Sequence, residues 1–171
     1  MNKHLKIALV LLWTECLFVL YWLLFTSGGN DAEWTIPAAQ RLIHLQTYAD
    51  AYGFPALGYQ LMYAIPIVLG LDIFVFQMLL RLSLCIMGAW LFLTRFDIEI
   101  HLGTGLLLIP WVAVMSLERS CAMPCFLVML AIVLIRESRM AGAALCLALC
   151  YLFRTEYLFF GLLAFMKWGD E

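Results

Sequence analysis

The chain has 171 residues, of which 65% are hydrophobic and 13% charged, with a formal net charge of −2. An ordinary globular domain is roughly 45–50% apolar and about 25% charged, so this composition excludes a typical water-soluble domain. It predicts an all-α protein, a polytopic transmembrane helical bundle that forms a single membrane domain over residues 1–171. Because no basic stripe is present, nothing indicates a nucleic-acid partner.

The first hydrophobic segment covers residues 5–26 and is long enough to cross a hydrocarbon core, which takes about 20 residues. Lys3 and Lys6 come at its start, so the positive-inside rule predicts a cytoplasmic amino terminus and a retained anchor. Glu15 interrupts the segment. Because an ionisable group in lipid is costly, Glu15 is expected to face the bundle interior as a buried hydrogen-bonding group or a proton relay.

The polar stretch 27–54 is predicted to be an extracytoplasmic loop. Its first acids are Asp31 and Glu33, which could act as a general base or bind a metal ion, or could simply solvate the loop. Thr35 then resembles a helix N-cap. Apolar residues at helical spacing follow over 36–51, and they predict an amphipathic helix lying in the membrane interface.

The rest of the membrane domain, residues 55–166, divides into several hydrophobic segments. Gly70-Leu71-Asp72 is the natural break in an apolar run that is too long for one span. It separates segments at about 56–71 and 73–94. Later segments are predicted at 102–116, 121–135 and 140–166, the last divided by Arg154-Thr-Glu156.

The basic residues give conflicting signals about topology. If the amino terminus is inside and every segment crosses, then Arg95, Arg136 and Arg139 fall outside, which the positive-inside rule disfavours. Two explanations stay open. Either one short segment does not cross the membrane, or the charge bias is weak in this protein.

Two further arginines lie within or between the hydrophobic segments. Arg81 is expected to reach an interface by snorkelling or to pair with Glu15 or Asp72. Arg119 follows Glu118 between two short segments, where it could bind a lipid phosphate or form an ion pair with its neighbour. The sequence leaves these alternatives open.

All the cysteines lie inside apolar runs, so they are expected to be small packing residues rather than metal ligands. Two pairs are four residues apart and therefore share a helix face. The six positions are Cys16, Cys85, Cys121, Cys125, Cys146 and Cys150.

Several features recur in an order that resembles a known family. An acidic motif, Asn-Asp-Ala-Glu-Trp, follows the first span, and a Pro-containing stretch then opens the second. The matching positions are 30–34, 52–59, the Gly-containing turn 70–72, the Arg-Leu-Ser stretch 81–88, Ile109-Pro110, the Ser/Arg segment 116–120 and the Gly-rich segment 141–156. In this order they resemble the amino-terminal membrane module of the C-type glycosyltransferase superfamily, which includes protein O-mannosyltransferases, lipid A aminoarabinose transferases and RgtA/B/C/D-like proteins.

The resemblance implies transfer of a sugar from a polyprenyl-phosphate donor to an extracytoplasmic acceptor. Asp31 would be the base or the metal-assisted activator of the acceptor, with Glu33 as its neighbour. A divalent metal ion at Asp31 is the one cofactor that the resemblance allows. Arg119 would meet the lipid phosphate. The substrate-binding residues implied by the matched motifs are Tyr52, Pro55, Tyr59 and Arg119.

The resemblance also implies a multi-pass protein of the bacterial plasma membrane. Family members are usually several hundred residues long, so the chain would correspond to a truncated or split form of the enzyme. One alternative is a non-catalytic membrane subunit or scaffold whose loop helix docks a partner. Another is a small transporter that uses Glu15 and Arg81 as an intramembrane pair.

Overall fold

The computed structural model describes residues 3–25, 31–44, 57–96, 102–117 and 122–153. Within these ranges the chain is all-helical and contains no strand, which confirms the all-α prediction. Eight helices are present there: α1 (Lys3–Phe25), α2 (Asp31–Ile43), α3 (Leu57–Leu69), α4 (Ile73–Arg95), α5 (Leu102–Leu107), α6 (Ile109–Leu117), α7 (Ala122–Arg136) and α8 (Met140–Tyr151).

The two longest helices, α1 and α4, contain 23 residues each and run antiparallel. The ring of Trp22, near the end of α1, lies 5.3 Å from that of Phe74, near the beginning of α4. Both helices are long and apolar enough to cross a membrane. At 1.5 Å per residue, each measures about 35 Å.

The predicted break between α3 and α4 is confirmed. Gly70 has a φ of 65°, a left-handed conformation that glycine adopts without strain. Asp72 then caps α4, because its Oδ1 accepts a hydrogen bond from the Val75 backbone N–H at 2.8 Å. Helix α3 therefore turns back along the first part of α4.

The prediction that Thr35 caps the loop helix is wrong, because α2 begins at Asp31. Acidic residues in the first turn of a helix interact favourably with its dipole, and Asp31 and Glu33 allow the earlier start. Thr35 is instead buried in the second turn. The part of the predicted helix from residue 45 onward lies outside the described residues.

Helix α2 uses its small residues to pack against α3. Ala39 is fully buried in a cluster with Tyr63 and Ala64 of α3, and Ile73 at the start of α4 packs against the same cluster. The apolar face expected of an amphipathic helix is thus covered by protein. This contact holds α2 beside the end of the molecule where α4 begins.

The segment predicted at 102–116 forms two short helices, α5 and α6, which meet at Leu108. Trp111 of α6 lies against α4, where its Nε1–H donates to the Cys85 carbonyl at 3.0 Å. Gly88 makes this approach possible, because a Cβ there would overlap the Trp111 ring. Helix α6 also packs along α1.

Helices α7 and α8 form a hairpin, as the predicted break at 136–139 requires. Ser138 takes a φ of 59° in the turn. The far end of α8 returns to the start of α7, where Cys150 Sγ lies 3.6 Å from the Pro124 carbonyl. It also meets the start of α3, since the Gly58 N–H donates to the Leu152 carbonyl at 2.8 Å.

Candidate functional site

The most unusual residue of the described bundle is Arg81, a charged side chain that is only 1% exposed. It lies about 12 Å along α4 from Ile73, at 1.5 Å per residue. Its guanidinium carbon sits 5.7 Å from the centre of the Trp22 ring. Trp22 in turn stacks on Phe18, with 5.9 Å between ring centroids. The cation is therefore held against an aromatic wall formed by α1.

Gln77 lies one turn before Arg81 and shares its face of α4. It is 4% exposed, and its Nε2 donates to the Met62 carbonyl of α3 at 3.3 Å. Its Oε1 accepts no hydrogen bond within the part of the chain that the structure describes. A polar amide and a guanidinium thus lie together where three helices, α1, α3 and α4, meet.

This arrangement suits an anionic ligand better than a neutral one. Burying a guanidinium costs free energy, and the cation–π contact, worth about 2 kcal/mol for a desolvated pair, is one of the interactions that offset it. The planar N–H groups of arginine match the oxygens of a phosphate.

Two other helix ends and the first half of α7 lie close to the same level of α4. Leu80, the neighbour of Arg81, packs against the cluster that contains Tyr59 and Phe153. These two residues mark the start of α3 and the end of α8, and Leu127 from the first half of α7 belongs to the same cluster. The portion of α4 before Arg81 contacts α3 through Gln77 and the end of α1 through Phe74.

Of the residues proposed from the family resemblance, only some fall in the described ranges. Asp31 and Glu33 form the first turn of α2, and their side chains lie outside the description. Tyr59 is buried, with its ring edge-on to Phe153 at 5.2 Å, so it is part of the apolar core. Tyr52, Pro55 and Arg119 lie outside the described residues.

Two expectations about charged residues are wrong. Glu15 does not face the bundle interior, because the buried side of α1 is formed by Thr14, Phe18 and Trp22, and Glu15 is exposed. Asp72 does not form an ion pair with Arg81, because Asp72 is exposed and caps α4. Glu15 and Arg81 therefore do not form the intramembrane pair that a transporter would need.

Three of the described cysteines are buried packing residues, as expected, whereas Cys16 is exposed on α1. Cys85 is fully buried beside Trp111, and Cys146 and Cys150 belong to the core between α7 and α8. A cluster of three or more metal-binding side chains is absent from the described ranges. The side chains of Asp31 and Glu33 are not among them, so the proposed metal ion at Asp31 stays a prediction.

The opposite end of the bundle carries a set of basic residues. Arg95, the last residue of α4, pairs with Glu137 at 3.1 Å, and Arg136 lies over the Phe96 ring at 5.2 Å. Since α1 and α4 are antiparallel, the start of α1 lies at this end too. The basic end is defined by Lys3, Lys6, Arg95, Arg136 and Arg139.

Sequence reasoning identified Arg81 but missed Trp22 and Gln77 as its neighbours. Gln77 could have been found, because a polar residue four positions before an arginine on an apolar helix shares its face. Trp22 could not, since its role depends on how α1 packs on α4. No protein-family model, curated protein or solved structure matches the chain. Function is therefore inferred from the residues themselves.

Proposed function

We propose that the chain is a multi-pass protein of the bacterial plasma membrane that binds a polyprenyl-phosphate-linked sugar and transfers the sugar to an extracytoplasmic acceptor. The observation that carries this proposal is Arg81, a buried guanidinium set back from the end of the bundle where α2 packs. A phosphate attached to a lipid is an anion that can reach such a depth from within the bilayer. The sequence resemblance supplies the reaction type.

The exposed surface supports a membrane environment. In the most apolar window of α1 only 17% of the residues are buried, and in that of α4 only 33%. The core helix of a water-soluble protein would be mostly buried. Helix α1 instead exposes large apolar side chains, among them Leu9, Leu12, Leu23 and Leu24, which lipid can cover.

The distribution of charge supports one orientation. The basic end would be cytoplasmic by the positive-inside rule, and α2 would then lie toward the outer face. The topology conflict disappears in this arrangement, because α1 ends and α4 begins at the same end, so α2 and α3 together do not cross. Arg95, Arg136 and Arg139 then join Lys3 and Lys6 inside.

In the proposed reaction, the acids of α2 act on the acceptor and the arginines act on the phosphate. Asp31 accepts the proton of an acceptor hydroxyl, whose oxygen forms a bond to the anomeric carbon. A divalent metal ion, if Asp31 held one, would polarise that hydroxyl. The bond between that carbon and the phosphate oxygen breaks, and polyprenyl phosphate leaves with the electron pair. Arg81 and Arg119 would stabilise the charge that develops on the phosphate. Glu33 would orient Asp31.

The experiment measures binding and turnover of a polyprenyl-phosphate sugar by the full chain in lipid nanodiscs. Asp31→Asn should reduce turnover by about a hundredfold or more, as loss of a general base does, and leave binding intact. Arg81→Gln should weaken binding, and Arg139→Gln at the basic end serves as the control that changes neither. Equal turnover in the wild type and Asp31→Asn would remove Asp31 from the mechanism.

A second candidate function is a non-catalytic membrane subunit, which the outward-facing Glu15 favours. An ionisable residue on the exposed side of a lipid-facing helix is normally covered by another helix. In that case Asp31→Asn and the wild type would both lack turnover. The chain would instead be isolated as part of a complex, and Glu15→Leu would release it.

A further inference from the structure

Gln77 of α4 is a buried amide that uses only one of its two ends within the described bundle. The side chain is 4% exposed, and its Nε2 donates to the Met62 carbonyl of α3 at 3.3 Å. Its Oε1 accepts no hydrogen bond from the part of the chain that the structure describes. Because a buried acceptor without a donor is costly, the oxygen points to a ligand that brings a donor.

The contact with α3 fixes which end of the amide is left for a ligand. Pro66 has no N–H, so the Met62 carbonyl four residues earlier lacks its usual helical donor. Only the nitrogen of the Gln77 amide can supply one, since the reversed amide would place two oxygens against each other. Oε1 is therefore held as an acceptor. A phosphate oxygen is itself an acceptor and does not suit it, whereas a hydroxyl does.

The acceptor lies beside the buried cation. Gln77 and Arg81 are one helical turn apart on the same face of α4, which places their Cβ atoms about 5–6 Å from each other. At 1.5 Å per residue, Gln77 is about 6 Å along the helix from Ile73, and Arg81 is about 12 Å from it. Gln77 is therefore the nearer of the two to the end of the bundle where α2 packs.

We propose that Gln77 Oε1 accepts a hydrogen bond from the sugar hydroxyl on the carbon next to the anomeric carbon, while Arg81 binds the phosphate. The inference rests on the proposed function, because it concerns the sugar donor bound at the same site. In a glycosyl phosphate this hydroxyl is one carbon away from the carbon that carries the phosphate, so one helical turn can bind both groups. The sugar then extends from Arg81 toward α2, the helix that carries Asp31.

Gln77 is in this arrangement a residue that determines specificity for the sugar. A site that hydrogen-bonds a substrate hydroxyl discriminates against an analogue that lacks it, because the buried protein group is then left unpaired. Arg81 supplies affinity for the phosphate of any such lipid. The two residues therefore have separable effects on binding.

Equilibrium binding to the full chain in lipid nanodiscs tests the inference. The probes are polyprenyl phosphates that carry glucose, galactose or mannose, and the 2-deoxy analogue of whichever hexose lipid binds most tightly. The wild type should bind that hexose lipid at least about tenfold more tightly than its 2-deoxy analogue, the effect of one hydrogen bond. Gln77→Leu should bind the two equally. Ser83→Ala removes an exposed hydroxyl of the same helix and, as the control, should keep the difference.

A second variant separates the ligand contact from the contact with α3. Gln77→Leu also removes the donor to the Met62 carbonyl, whereas Pro66→Ala/Gln77→Leu restores an N–H in α3. The double variant should likewise bind the two sugar lipids equally.

Three results would overturn the inference. Equal affinity of the wild type for the two sugar lipids, or a difference that persists in both Gln77 variants, would do so and leave the phosphate site at Arg81 standing. So would a loss on Gln77→Leu that is as large for polyprenyl phosphate, which carries no sugar, because the donor would then be a hydroxyl of the phosphate. If the wild type binds none of these lipids, the proposed function fails as well.

Discussion

Pro66 leaves one carbonyl of α3 without its normal partner, and Gln77 of α4 supplies a replacement. Proline has no N–H, so the Met62 carbonyl four residues earlier cannot accept the usual helical hydrogen bond. The Gln77 Nε2 donates to that carbonyl instead, at 3.3 Å. The result is a polar link between two apolar helices, directly before the turn that carries Arg81.

The hydrogen bond from Gln77 to the Met62 carbonyl predicts an energetic coupling between Gln77 and Pro66. Gln77→Leu should lower the free energy of unfolding by about 1–3 kcal/mol, because it leaves a buried carbonyl unsatisfied. Pro66→Ala restores an N–H in α3, so the same Gln77→Leu change should cost less in a Pro66→Ala background. Denaturant unfolding of the four proteins in detergent measures the coupling. Equal costs in both backgrounds would show that the hydrogen bond contributes nothing.

The environment of single residues was harder to predict from the sequence than the helices were. The pattern could identify Glu15 and Arg81 as unusual, because a charge in an apolar run needs no structure to be noticed. It could not say which way either side chain faces. One position along a helix rotates a side chain by about 100°, which separates the buried Thr14 from the exposed Glu15.

At the scale of elements, Gly88 of α4 has the most crowded surroundings among the described glycines. A Cβ on Gly88 would overlap the Trp111 ring and lie 2.7 Å from Met129 Cε. Glycine at this position therefore sets the distance between α4 and its two neighbours, α6 and α7. It also allows the Trp111 N–H to reach the Cys85 carbonyl.

Gly88→Ala is expected to destabilise the protein by about 1–3 kcal/mol, the usual cost of overpacking a tight core. Gly142→Ala is the matched control. A Cβ there meets only the flexible tip of Leu134, at 3.3 Å, and alanine is the better helix former, so this variant should be neutral or slightly stabilised. The comparison is made by measuring the Tm of both variants in the same detergent. Equal changes in Tm would contradict the close packing around Gly88.

Most helices were predictable, because apolar runs are bounded by turn residues or charges. The limits of α1, α3, α4 and α7 agree with the sequence prediction to within one or two residues. The start of α2 was predicted wrongly. Thr35 has the right chemistry for an N-cap, but the acids before it also favour a first helical turn. Hydrophobicity alone could not reveal that α3 turns back along α4.

For the whole molecule, the charge distribution makes a prediction about orientation. Ser138→Cys lies in the turn at the basic end, and Leu71→Cys lies in the turn at the opposite end; both positions are exposed. In intact cells a membrane-impermeant thiol reagent should label Leu71→Cys immediately and Ser138→Cys only after permeabilisation. The reversed pattern would put α2 in the cytoplasm and exclude sugar transfer at the outer face.

The unequal helix lengths have a consequence for the surrounding lipid. Helix α7 has 15 residues and measures about 22 Å, whereas α4 measures about 35 Å. In the proposed membrane location, a bilayer matched to α4 would be too thick for α7, and the lipid beside α7 would thin to reduce the hydrophobic mismatch. Headgroups on that flank would sink toward the level of Arg81. Such a deformation would shorten the path of a lipid-borne phosphate to the site proposed at Arg81.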